Sequence, residues 1–347
     1  MILEEEVQYD IEKNHKCDVY VHPNSKDEDQ HVIVIVHGGA WMMGNKRGMR
    51  SMAQTLCCKT GLVCVVPEYS LSQMDSIVLQ NVVIINWLVV GALCILAGKR
   101  GAMPLFLLFC IAAFITICVL VHIMHRVEKK QNAHPVHVTD IAKCMQWISH
   151  ESPRWEKKRP KFVLVGHSAG AHLCALVTLN PRFLDESIRE QIKGVVCISG
   201  LYSFFRLQDS VIKFFINRGV FADSAHGLTH RSYAQLSHAR RCQCKDHCAK
   251  ITTRWDHVID AWPVFQIEHH AHHYSHRPRF LVLTAELDIS LILHACDLAH
   301  GLALCEFPVD HLHFKRTTHF SIHHYWDSKH QHIANAIVRF IKEVACC

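Results

Sequence analysis

The run Lys161-Phe162-Val163-Leu164-Val165 passes without a break into Gly166-His167-Ser168-Ala169-Gly170 and then into Ala171-His172-Leu173-Cys174-Ala175-Leu176. An apolar strand-like segment, a serine with a glycine two places to either side, and helical sequence at once afterwards describe a sharp strand-to-helix turn. Side chains at 166 and 170 would collide with the crowded backbone of such a turn, which lifts the Ser168 hydroxyl to the top of a sheet. The helix N-terminus below it then lies under any negative charge that forms there. A chain built around this element needs a mostly parallel sheet.

The remaining pattern agrees. His31 to Val36, Leu62 to Val66, Gly194 to Ile198 and Arg279 to Leu283 read as buried strands, with Leu304 to Phe307 a weaker last one. Val138 to Glu151, Ala171 to Leu179 and Gln331 to Val344 have helical spacing, so an α/β architecture with helices on both faces is expected. After the first of these strands comes His37-Gly38-Gly39-Ala40-Trp41. Glycines there let the backbone approach a substrate closely and aim N–H groups at one oxygen. Gly38 and Gly39, with the N–H of Ala169, are the expected oxyanion donors, and Trp41 is read as packing.

These segments resemble the α/β hydrolases of the hormone-sensitive-lipase and carboxylesterase group, and within it the branch of kynurenine formamidase and prenylcysteine methylesterase. The likeness covers about 8–70 and 135–344, and it implies an α/β-hydrolase fold with the chain order serine, acid, histidine. Leu283-Thr284-Ala285-Glu286-Leu287-Asp288-Ile289-Ser290 matches the family's acid loop, with Asp288 at the acid position and Glu286 and Asp310 as alternatives. Arg316-Thr317-Thr318-His319-Phe320 resembles the segment carrying the base, which makes His319 the choice over His311, His313, His323 and His324. The resemblance therefore implies Ser168 as nucleophile, His319 as general base and Asp288 as the group that orients it, in an ester hydrolase that needs no cofactor. An arylformamidase is the alternative within the class. A catalytically silent hydrolase fold used for membrane interaction is the alternative outside it.

Two apolar runs, Ile77 to Ala97 and Met103 to Met124, flank Gly98-Lys99-Arg100-Gly101, and each approaches the length needed to cross a bilayer. They read as a transmembrane hairpin inserted into the hydrolase, giving residues 1–74 and 132–347 to the hydrolase domain and 75–131 to the insert. A two-span membrane protein with a cytosolic hydrolase domain is then expected, its site held near lipid and its substrate a lipid-like or prenylcysteine-type ester. Glu4, Glu5 and Glu6 stand where a secretory leader would need basic and apolar residues. With 37 basic against 31 acidic side chains, the charge of +6 is too diffuse to argue for nucleic acid. The 17 cysteines follow no framework spacing. Cys242, Cys244, His247 and Cys248 lie close together, but their spacing is irregular in a chain with 30 histidines, and no metal is expected.

Overall fold

The computed structural model describes residues 2–23, 25, 31–72, 132–151, 159–203, 260–288, 291–324 and 331–346. The chain divides into two units, one of Met1–Leu71 with Ala133–Cys347 and a second of Ser72–Asn132. The first unit carries all the elements below.

Its strands are β1 (Leu3–Asp10), β2 (His15–Val21), β3 (His31–Val36), β4 (Val63–Pro67), β5 (Lys161–His167), β6 (Ile192–Ile198), β7 (Arg279–Leu287) and β8 (Val309–Thr318). The helices are α1 (Arg50–Thr60), α2 (Val136–His150), α3 (Ala169–Leu179), α4 (Glu186–Arg189), α5 (Pro263–His270), α6 (Ile292–Leu304) and α7 (Gln331–Ala345). The strands form one sheet in the order β1-β2-β4-β3-β5-β6-β7-β8. From β4 to β8 every pairing is parallel, and β1 and β2 are antiparallel additions at one edge. β5 therefore lies mid-sheet, between β3 and β6.

Successive side chains of a strand point to opposite faces, and the central strands carry unbroken apolar runs, so each feeds two cores. Val32, Val34, Phe162 and Leu164 pack on the face that also holds buried residues of α2, α3, α5 and α6. Ile33, Ile35, Val163 and Val165 pack on the other, with buried residues of α1 and α7. Ile333, Ile337, Phe340, Ile341 and Val344 form the buried stripe of α7 at helical spacing. Burying side chains of this size stabilises by roughly 1.5–3 kcal/mol each before conformational entropy is subtracted. Helix α3 is buried along all eleven of its residues.

Three expectations are corrected. The last strand is β8, Val309–Thr318, and not Leu304 to Phe307: Leu304 ends α6, and its apolar neighbours close that helix onto the turn before β8. β1 and β2 were not foreseen, because an edge hairpin rich in charged residues has no continuous apolar run; Glu6 of β1 pairs with Lys16 and Lys46. The two-span membrane protein is the third. Among the described residues no helix is long and apolar enough to cross a membrane. The longest, α2 and α7, have 15 residues each, short of the ~20 that a bilayer core needs. Residues 77–97 and 103–124 lie outside the described residues. Hydropathy records the composition of a segment and not its path.

Candidate active site

β5 ends at His167, and α3 begins at Ala169, so Ser168 alone makes the turn. Its backbone sits at φ 53°, ψ −118°, a conformation that costs a non-glycine residue about 1–3 kcal/mol. The surroundings impose it. Ser168 N donates to Ile198 O at 2.8 Å, and Ser168 O accepts from Ala171 N and His172 N at 3.1 and 3.2 Å. A Cβ at position 166 would lie 2.4 Å from backbone atoms of Gly170, and one at position 170 would lie 2.1 Å from Val36 O. Only glycine lets β3, β5 and α3 meet this closely.

The loops at the carboxyl ends of β7 and β8 bring the other groups. Asp288 follows β7 directly, and His319 follows β8, with His319 N donating to Leu287 O at 2.9 Å. His319 Nδ1 lies 2.9 Å from Asp288 Oδ1, and His319 Nε2 lies 3.1 Å from Ser168 Oγ. An ionised carboxylate only accepts, so Nδ1 carries the hydrogen and Nε2 offers its lone pair to the serine hydroxyl. All three residues are buried. The other oxygen, Asp288 Oδ2, accepts from Ser199 Oγ at 2.7 Å and Ala285 N at 3.1 Å.

The alternatives lie elsewhere. Glu286 accepts from Arg316 N at 2.6 Å, and Asp310 pairs with Arg279 at 2.7 Å. His311 and His313 contact Thr284 Oγ1 from β8. His323 stacks on His167, their ring centroids 3.7 Å apart, and His324 lies against His323 with its ring tilted by 40°.

Gly38 and Gly39 follow β3, beside the elbow. A Cβ on Gly38 would fall 2.8 Å from His167 O and 3.0 Å from Ser168 Cβ. Gly39 has φ +121° and opens a turn in which its carbonyl accepts from Met42 N and Met43 N. The Ala169 N–H belongs to the first turn of α3 and has no partner within that helix. Trp41 is buried, edge-on to His172.

Two residues here were missed from the sequence. His167 Nε2 lies 2.9 Å from His319 O, so its N–H donates to the backbone of the loop carrying the imidazole. Ser199 leaves β6, the strand beside β5, and supports Asp288. Its signal was positional: the first residue beyond the strand that neighbours the elbow strand. Burial holds His167 well below the usual imidazole range, and it pushes His323 down to about 3. Both rings are thus neutral near pH 7, and neither opposes a positive charge on His319.

One group has the composition of a metal site. The ligand atoms of Asp10, His15 and Asp140 lie within 4.8 Å of one another. Lys13 sits 2.5 Å from Asp140 and Lys143 sits 3.1 Å from Asp10, so ammonium groups already neutralise the carboxylates. The Cys242 to Cys248 cluster lies outside the described residues.

A model of the family BD-FAE matches residues 17–82 and 106–215. Over 100 residues the chain is 29% identical to a probable carboxylic ester hydrolase, LipM, of Mycobacterium tuberculosis (strain ATCC 25618 / H37Rv); that stretch is 27% of this chain and 22% of that protein. Among solved structures, a Pyrobaculum calidifontis esterase superposes with a TM-score of 0.56 at 16% identity, covering 100% of this chain and 86% of its own. Carboxyl esterase 2 from the mycorrhizal fungus Tuber melanosporum superposes with a TM-score of 0.57 at 15% identity, covering 99% and 87%. Likeness at such identities shows the fold, which is that of the α/β hydrolases.

Proposed function

The chain belongs to the BD-FAE family, and from that premise we propose that it hydrolyses a carboxylic ester through an acyl-enzyme on Ser168. As Ser168 Oγ attacks the carbonyl carbon, His319 Nε2 takes its proton, and Asp288 steadies the imidazolium through Nδ1–H. The oxygen of the tetrahedral adduct takes up negative charge against the N–H groups of Gly38, Gly39 and Ala169 at the head of α3. Collapse expels the alcohol, which receives its proton from His319. Water then repeats the sequence on the acyl-enzyme, releasing the acid and restoring the serine. Residues 1–74 and 132–347 form the hydrolase body, with 75–131 inserted between its two parts.

The observation that carries the activity is the unbroken relay from Ser168 Oγ through His319 to Asp288, at 3.1 and 2.9 Å. A second observation bears on the substrate. Four large apolar side chains, Met43, Leu287, Leu293 and Phe320, are at least half exposed, on the segments that follow Gly39, flank Asp288 and follow His319. Water contact at that many large apolar groups beside one site favours an ester with an apolar portion, of the lipid or prenyl kind.

Labelling by a fluorophosphonate probe tests the nucleophile, and a panel of short acyl esters, long acyl esters and prenylcysteine methyl esters tests the substrate class. Wild type should label and Ser168→Ala should not, with kcat/KM rising from short to long or prenylated esters. Persistent labelling of Ser168→Ala would remove the nucleophile, and a flat panel would remove the apolar preference.

A further inference from the structure

The opposite pole of the sheet, at the amino-terminal ends of β5, β6 and β7, carries a cavity of about 350 Å³ whose charged walls are Lys161, Lys193, Arg277, Arg279 and Glu343. Lys161 is the first residue of β5 and Arg279 the first of β7. Lys193 is there because of a bulge: Phe162 pairs with Ile192 and Val163 with Gly194, which leaves Lys193 as an extra residue on β6. Arg279 is satisfied by Asp310 and Glu343, each at 2.7 Å. Arg277 gives one terminal nitrogen to Glu306 at 3.2 Å, but its Nε–H is buried with no partner. Lys193 Nζ donates only to a backbone carbonyl, that of Glu190, at 2.7 Å. Neither Lys161 nor Lys193 has a carboxylate within ion-pair distance among the described residues. Burial, and then the charge of Lys161, hold the Lys193 ammonium below its usual range. The wall thus holds two ammonium groups in excess.

We propose that this cavity binds a phosphate monoester, its phosphate between Lys161 and Lys193 with the Arg277 side chain on the same wall, and its organic part against Pro308 and Val344. A phosphate monoester carries close to two negative charges at neutral pH and matches both lysines, whereas a carboxylate matches one. The apolar wall favours an ester over the bare ion. The seven residues of β5 separate this site from Ser168 by roughly 20 Å, so it does not depend on the hydrolase reading.

The test is calorimetric titration of the full chain with butyl phosphate, inorganic phosphate and acetate, at one ionic strength in chloride, alongside Lys161→Gln, Lys193→Gln and Arg277→Gln. These side chains are half-buried, and an unchanged unfolding midpoint without ligand confirms that each variant is folded. Butyl phosphate should bind more tightly than inorganic phosphate, acetate should give no heat, and each substitution should weaken the ester's Kd at least tenfold. Ester binding no stronger than acetate, or unaltered in Lys161→Gln and Lys193→Gln, would overturn the site. Inorganic phosphate binding as tightly as the ester would overturn the monoester.

Discussion

Ser199→Ala removes one hydrogen bond behind the relay and leaves the relay's own atoms in place. Asp288 is 2% exposed, so bulk solvent does not reach it, and of its protein partners Oδ2 keeps only the Ala285 N–H at 3.1 Å. A hydrogen bond to a charged group contributes about 1.5–3 kcal/mol. At about 1.4 kcal/mol per factor of ten, its loss lowers kcat by roughly 10- to 100-fold if it falls on the state in which His319 is positively charged. KM should hold, because Ser199 contacts the acid and not the substrate. Asp288→Asn should cost far more, about 10⁴-fold, since it breaks the tautomer as well. Steady-state hydrolysis of p-nitrophenyl butyrate separates kcat from KM, and urea unfolding of the same preparation separates activity from stability. A folded Ser199→Ala enzyme with kcat within twofold of wild type would refute the support assigned to Ser199. So would a change confined to KM.

Two predictions concern stability. Gly170→Ala sets a methyl group 2.1 Å from Val36 O and 2.7 Å from His37 O, both backbone, so β3 and α3 must part; the urea midpoint should fall by the equivalent of about 3 kcal/mol or more, and a loss under about 1 kcal/mol would contradict the close approach. Burial lowers His137 to about 4 and His172 and His323 to about 3, so between those values and about 6.5 the unfolded chain binds protons that the folded chain refuses. Their contribution is intact above about pH 7 and declines as pH falls, by about 2 kcal/mol per histidine at pH 5. Urea titrations at pH 7.5, 6 and 5 check it, and equal stability across the three would contradict burial of these rings in the neutral form.

What the sequence disclosed about the site was local. Gly166 and Gly170 are legible because the crowding that demands them arises within a few residues of Ser168 and at the strand next door. Asp288 and His319 came from a resemblance, because nothing nearby in the chain ties an acid at 288 to an imidazole at 319. Ser199 and His167 were hidden for a related reason: what they do depends on which loops end beside each other above the sheet. In the fold, the buried parallel strands announced themselves as unbroken apolar runs. β1 and β8 sit at the sheet's two edges and mix charged with apolar residues, so one was missed and the other displaced into the end of α6. Residues 77–97 and 103–124 lie outside the described residues, and among the described residues no helix is long and apolar enough to cross a membrane.

Helix α3, lacking a wet face anywhere along its length, has a thermal consequence. Amides in such an element exchange with solvent only when the whole domain opens, while loops and frayed ends open far more cheaply. The serine is hinged to the front of this helix, so gentle heating that loosens the rim leaves its pitch unaltered. Hydroxyl alignment should survive until the melting transition and vanish with it in one cooperative step.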